Sequence, residues 1–261
     1  MSDFHHPIAG HVYAVTGASS GYGLAIVQAI VAAGAVVGLI ARGQENLDLA
    51  LATIGSENGF IATADVSDSK EAGAALQKIH AHFGRLDGLV NNAGMARPGS
   101  IETYSDDEIT SQLQLNIAAA MYCTRAAIPY LKNANNPRIV NISSASAEHH
   151  DEMQGLSLYA ATKAALERLS RDTRREVQEY GIGVTILRPG AAMTEFVADW
   201  DMAKLKTAVD VWNERQGRWM DSGMEPGHVA DALVYCLGVP PGVSVDLLEV
   251  RPNKLVEKFK F

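Results

Sequence analysis

Residues 11–34 read HVYAVTGASSGYGLAIVQAIVAAG, and the placing of three glycines inside this stretch decides the architecture. The run 11–17 is continuously apolar, as a strand covered on both faces is. Apolar residues then recur at helical spacing, so a helix is predicted over 21–33. Between them lies TGASSGYG at 16–23. Gly17 allows a tight turn, Gly21 lets the backbone come close to a ligand, and Gly23 lets the helix pack close to the strand. A helix starting on such a turn presents unpaired N–H groups and a partial positive charge, the chemistry of a diphosphate cradle. Three residues separate Gly17 from Gly21 and one separates Gly21 from Gly23, unlike the commoner G-x-G-x-x-G. Taken alone, such a turn would serve equally as a structural loop with no ligand.

Outward from this stretch, short apolar runs alternate with amphipathic segments, the pattern of repeated βα units around a parallel sheet. Further strands are predicted at 36–42, 59–66, 87–94, 138–144, 183–190 and 243–250, and helices at 44–54, 68–83, 106–132, 157–180 and 226–238. In the helix at 68–83, Asp68 and Glu71 form a capping pair, Leu76, Ile79 and Phe83 share one face, and Gly84 ends it. No break divides residues 1–261 into two domains. The stretch 191–225 interrupts the alternation and carries Phe196, Trp200, Trp212, Trp219 and Met220. An insertion after a strand's carboxyl end is where a substrate lid is expected, although such residues also suit a core or a subunit contact.

Composition sets the outer limits. Apolar residues make up 47% and charged residues 20% of the chain, ordinary for a globular protein. A net charge of -8 argues against nucleic acid or an anionic membrane as partner, and no apolar run approaches the ~18 residues of a membrane span. The start has no signal-like pattern, which makes a cytoplasmic location the expectation. Cys123 and Cys236 lie far apart among apolar neighbours and read as buried small hydrophobes. The segment EHHDE at 148–152 collects possible metal ligands, but adjacent loop residues rarely converge on one ion, so no metal is expected. It is read as a solvated loop or as part of a substrate mouth.

The spacing T-G-x-x-x-G-x-G resembles that of the short-chain dehydrogenase/reductase family. The likeness continues through Asp65-Val66, NNAG at 91–94, Asn116, NISS ending at Ser144, YAATK at 159–163 and PGAAMT at 189–194. It implies a single Rossmann-type α/β domain, a doubly wound seven-stranded parallel sheet of order 3-2-1-4-5-6-7 with helices on both faces. It also implies an NAD(P)-dependent oxidoreductase acting on a small carbonyl or alcohol, assembled as a homodimer or homotetramer through helices 106–132 and 157–180. The alternatives are an NAD(H)-dependent alcohol dehydrogenase of the same family and a dinucleotide-binding sensor without turnover.

The catalytic chemistry can be read from residue types. Hydride transfer leaves a substrate oxygen that must gain or lose a proton, so a positioned acid/base is required. Tyr159 and Lys163 stand four apart on a predicted helix and share a face. At ~4 Å and an effective dielectric of ~20, an ammonium favours phenolate by on the order of 4 kcal/mol, enough to lower a tyrosine pKa by a few units. Ser144 ends a strand and suits a hydrogen-bond donor to the substrate oxygen, with Ser143 and Ser146 as rivals. Asn116 follows Ile109 and Leu113 at helical spacing and is expected to point inward. By the resemblance, Asn116 bends its helix and joins a proton relay to Lys163, and Lys163 also holds the nicotinamide ribose with Tyr159.

The resemblance assigns the dinucleotide to Gly17, Ser19, Ser20, Gly21, Tyr22 and Gly23, with Asn92, Ala93 and Gly94 beside it. Asp65 and Val66 would meet the adenine, and Pro189, Gly190 and Thr194 the nicotinamide. Asn91 would tie the central strands together. At the end of the second strand an NAD enzyme places an acid to accept from the ribose 2′-hydroxyl. Here that position is Ala41, followed by Arg42, whose guanidinium can form a charge-assisted fork to a 2′-phosphate. NADP is therefore the expected cofactor, with NAD possible should Arg42 only solvate its loop.

Overall fold

Alternate residues of the first strand enter two different cores. Tyr13 and Val15 pack on one side, Val12 and Ala14 on the other, so this strand must lie inside a sheet covered on both faces. The computed structural model, describing residues 7–150, 153–191, 195–197 and 199–258, bears this out. In chain order run β1 (Val12–Thr16), α1 (Gly21–Ala32), β2 (Val36–Ile40), α2 (Gln44–Ile54), β3 (Gly59–Ile61), α3 (Ser69–Phe83) and β4 (Gly88–Asn91). Next come α4 (Asp106–Leu113), α5 (Ala119–Leu131), β5 (Arg138–Ile142), α6 (Ser157–Glu176), β6 (Gly183–Pro189) and α7 (Met202–Gln216). The described chain closes with β7 (Trp219–Asp221), α8 (Pro226–Leu237), β8 (Leu247–Val250) and β9 (Leu255–Glu257).

The main sheet is parallel and ordered β3-β2-β1-β4-β5-β6-β8. Its seventh strand is eighth in chain order because β7 pairs antiparallel with β9 in a separate ribbon. Helices α1, α2 and α8 cover one face, burying Ile26, Ile30, Leu47 and Leu233. On the other face α3 and α5 bury Leu76, Ile79, Cys123 and Leu131. The strand order reverses between β1 and β4, which opens a crevice at the carboxyl ends where ligands of doubly wound folds bind. Both cysteines are free and buried, and burial pushes each thiol up to about 12.

The departures from the predicted bounds have local causes. Regular pairing of β3 ends at Ile61, although Ala62 and Ala64 still donate to Leu39 and Ala41. Only 247–250 of the predicted last strand is extended. Asp68 caps α3 by accepting from Lys70 and Glu71, yet Glu71 reaches back to the Asp65 N–H instead of completing a reciprocal box. The predicted helix 106–132 is broken by a π-helical turn, Gln114–Ala118. That turn corrects the reasoning for Asn116: the residue is buried, but Leu113 is 42% exposed and Gln112 is the buried neighbour.

Within 191–225 the chief element is α7, which the sequence reading had not recognised as a helix. Asp201 caps it, and Leu205, Val209 and Trp212 form its buried stripe. Side-chain contacts at both ends help fix its place. Lys204 Nζ binds Glu108 at the start of α4 at 2.7 Å, and Gln216 donates to the His150 carbonyl.

Candidate active site

The glycine turn between β1 and α1 is held open by its lack of side chains. Gly17 and Gly21 have φ of 64° and 51°, in the left-handed region. A β-carbon on Gly23 would overlap the Gly17 carbonyl oxygen, so α1 can start this close to the turn only with glycine there. Asn92, just past β4, donates its amide to the carbonyls of Thr16 and Gly17 at 2.9 and 3.2 Å. Thr16 Oγ1 accepts from the N–H groups of Asn92 and Ala93, both at 3.0 Å. The side chain of Asn92 is thus engaged in shaping the turn.

The cradle fits a dinucleotide. Ser20, at the N-cap of α1, makes no side-chain cap bond, and the first turn contains no acidic residue, so its N–H groups and dipole are left for an anion. Ser19 is half-buried and Ser20 exposed at the same rim. Tyr22 donates its hydroxyl to the Gly190 carbonyl at 3.2 Å, joining this turn to the end of β6. Arg42 is exposed just beyond β2, with no ion pair among the described residues. Asp65 accepts from the Ser67 N–H at 2.9 Å, and Val66 beside it is buried. Gly190 follows Pro189, and a β-carbon on it would approach Arg251 and Pro252 at 3.2 Å. Thr194, with Asp151 and Glu152, lies outside the described residues.

The predicted catalytic residues come from three elements. Lys163, buried on α6, donates to the Ile142 carbonyl at 2.8 Å at the end of β5. Burial alone lowers its pKa to about 8, so at neutral pH it is still largely a cation. Its Nζ lies 5.7 Å from the Tyr159 ring centre, one turn earlier on the same face. Asn116 is pinned in the π-helical turn: its carbonyl oxygen accepts from Met95 N–H at 2.8 Å, and its amide donates to the Met95 carbonyl and Thr162 hydroxyl. A β-carbon on Gly94 would stand 3.3 Å from both Asn116 Oδ1 and Lys163 Nζ, so this glycine leaves open the space between them.

Among the serines, geometry separates the candidates. Ser143 is buried and donates to Glu167 at 2.7 Å, which removes it from the substrate side. Ser144 is half-buried, and its oxygen accepts from the Ser146 hydroxyl at 2.9 Å, leaving its own proton to donate outward. Asn91 joins the central strands as expected, donating to Asn141 at 2.7 Å and to Thr124.

A feature absent from the sequence reading lies directly behind the site. Arg188, near the carboxyl end of the apolar strand β6, binds Glu167 on α6 through two contacts of 2.8 and 2.6 Å and Glu249 on β8 at 2.8 Å. Glu249 also meets His149 at 2.8 Å. The carboxylates beside Arg188 raise its pKa further, so it stays charged. The loop carrying EHHDE is tied back to the sheet through His149 and Glu148, whose carboxylate is 3.5 Å from Arg188. No cluster of three or more metal-ligating side chains occurs among the described residues.

A family model described as short chain dehydrogenase matches residues 11–204. An uncharacterised oxidoreductase of Staphylococcus aureus is 29% identical over 241 residues, covering 92% of this chain and 96% of its own. An alcohol dehydrogenase from the archaeon Thermococcus sibiricus, solved with 5-hydroxy-NADP, superposes with a TM-score of 0.79 at 25% identity over 93% of this chain and 97% of its own. A 3-ketoacyl-(acyl-carrier-protein) reductase from Brucella melitensis, solved with NADH, gives 0.80 at 24% identity over 94% and 98%, a likeness of fold alone. No helix among the described residues is long and apolar enough to cross a membrane.

Proposed function

Since the chain belongs to the short-chain dehydrogenase/reductase family of oxidoreductases, we propose that it interconverts a carbonyl and an alcohol using NADP(H), with Tyr159 as the acid/base. The observation that carries this reading is the buried Lys163 ammonium beside the Tyr159 ring, with Asn116 across the gap left by Gly94. The nicotinamide dinucleotide, when bound, supplies or accepts the hydride. Its diphosphate would rest on Gly17, Ser19, Ser20, Gly21, Tyr22 and Gly23, with Asn92, Ala93 and Gly94 alongside. Asp65 and Val66 would flank the adenine, and Pro189, Gly190 and Thr194 the nicotinamide.

In the reducing direction the Tyr159 hydroxyl gives its proton to the substrate oxygen, while the Ser144 hydroxyl donates a hydrogen bond to the same atom. Lys163 stabilises the phenolate left behind, and Asn116 orients the path by which the proton is replaced. Arg42, exposed just beyond β2 and without an ion pair among the described residues, would hold a 2′-phosphate, which supports NADP(H) over NAD(H). Exposed Leu113 and Met121 on α4 and α5 support association of copies through these helices as a homodimer or homotetramer. The stretch 191–225 would act as a substrate lid, a reading supported by the apolar side chains Leu205, Val209 and Trp212 of α7. A screen of NADPH and NADH oxidation against ketones, aldehydes, quinones and keto acids tests the reaction. Turnover with at least one carbonyl class, lost in Tyr159→Phe, is expected; turnover that survives this change would remove Tyr159 from its role.

A further inference from the structure

From Tyr159 a row of aromatic rings leads away from the reacting centre. The Phe196 ring is centred 5.7 Å from that of Tyr159, and the Trp200 ring 6.3 Å from Phe196, edge to face. Phe196 is 39% exposed, whereas Trp200 is 8% exposed and packs with Ala96, Leu205 and Val209. The three indoles of the chain differ in how their N–H groups are met. That of Trp212 donates to Gln216 at 2.7 Å, and Trp219 is exposed to water. That of Trp200 is buried and meets no acceptor among the described residues.

A buried donor without an acceptor is costly, and native proteins seldom tolerate one without a reason. We infer that the Trp200 indole N–H is a recognition donor, and that the preferred substrate carries a second acceptor oxygen on its apolar body, one ring's breadth beyond the reacting carbonyl. The inference rests on the carbonyl chemistry proposed above. The hydrophobic side chains packed with Trp200 include Ala96, Leu205 and Val209, so a neutral ester, ketone or ether oxygen suits this cluster better than a carboxylate, whose charge would have to be desolvated. A site with such a donor penalises analogues lacking the acceptor, because the N–H then stays buried and unpaired. Trp200 would thus set specificity, while Tyr159, Ser144 and Lys163 perform the reaction.

Two pairs of ketones matched in shape test this: ethyl levulinate against octan-2-one, and methyl para-acetylbenzoate against para-sec-butylacetophenone. The wild-type protein should favour the ester of each pair by about tenfold or more in kcat/KM. Trp200→Phe, which keeps a ring and removes the N–H, should bring each ratio close to one. Equal rates within both pairs, or a preference that persists in Trp200→Phe, would overturn the assignment and leave the carbonyl chemistry standing. Should Trp200→Phe fail to fold, the wild-type protein decides. With ¹⁵N-labelled indoles, assigned through Trp212→Phe and Trp219→Phe, the Trp200 N–H resonance should shift with the esters and not with the hydrocarbon ketones in the presence of NADP+. A resonance that ignores the esters overturns the inference. Absence of turnover with any carbonyl would instead defeat the proposed reaction, with the resonance still deciding whether Trp200 binds an acceptor.

Discussion

The cofactor side and the substrate side of this molecule are built by different means. Around the glycine turn the controlling features are backbone ones: two positive φ angles, a helix start that only glycine allows, and an asparagine bonded to main-chain carbonyls. Behind Ser144 and Tyr159 the controlling features are side chains that meet across long stretches of sequence. Arg188 gathers Glu167 and Glu249, and α7 is held by Lys204 and Gln216. Every nicotinamide dinucleotide presents the same diphosphate, so a short rigid backbone motif suffices to cradle it. Substrates vary, and their side of the cleft is made from packing and ion pairs that can be exchanged.

Tyr159, where the two sides meet, gives the sharpest test of this division. Tyr159→Phe should lower kcat by about 10²–10⁴-fold while cofactor dissociation constants, measured by fluorescence titration, stay near wild type. A large loss of cofactor binding would mean that the two sides are not separable at this residue. On the substrate side, Glu167→Ala removes one of the two main carboxylates facing buried Arg188 and strands the Ser143 hydroxyl. Breaking a buried pair costs ~3–5 kcal/mol, and because Glu249 remains, about 3 kcal/mol of unfolding free energy is expected in urea titrations. An unchanged midpoint would show that the ion cluster is not a structural support.

The cofactor side is probed by Ala41→Asp with Arg42→Ile. Loss of a charge-assisted contact, with an acid installed against the 2′-phosphate, should shift relative affinity toward NAD(H) by roughly ten- to hundredfold. Wild-type protein binding NADH more tightly than NADPH would refute the assigned role of Arg42. A smaller effect concerns Lys163, whose pKa falls from an ordinary 10.5 to about 8 on folding. Between those values the unfolded chain binds more protons, so the native state gains stability as pH rises from about 8 toward 10.5 and carries the full burial cost below 8. Lys163→Met should therefore be inactive yet more stable at pH 7, by on the order of 1–3 kcal/mol less the lost bond to Ile142, the advantage shrinking as pH rises. Thermal melts at several pH values check this.

The same division governs what could be read from the sequence. Gly17, Gly21 and Gly23 declare themselves because a backbone requirement is written within a few residues, as does the four-residue step from Tyr159 to Lys163. Asn116 was correctly expected to be buried, but on a helical register that the π-helical turn alters, leaving Leu113 at the surface. The helix α7 carried a usable signal in Asp201 followed by Leu205, Val209 and Trp212, masked by the charged residues between them. Arg188 inside an apolar strand was also a signal, since a buried cation demands partners. Glu167, on a helix where charged residues normally face water, gave no local sign of being that partner, and Glu249 stands 61 residues away. Pairing of that kind is decided by the assembled fold.

The hydroxyl of Tyr22 has a consequence for kinetics. It spans the cleft from the glycine turn to Gly190, and burial, with Tyr159 nearby, raises its pKa, so it remains a neutral donor throughout the working pH range. On the proposed reading, the bond would act as a clasp between two walls flanking the dinucleotide. Releasing it in Tyr22→Phe should leave capture of the cofactor nearly unaltered and shorten its residence, so that stopped-flow traces show a faster off-rate at every pH, a change in tempo with no change in chemistry.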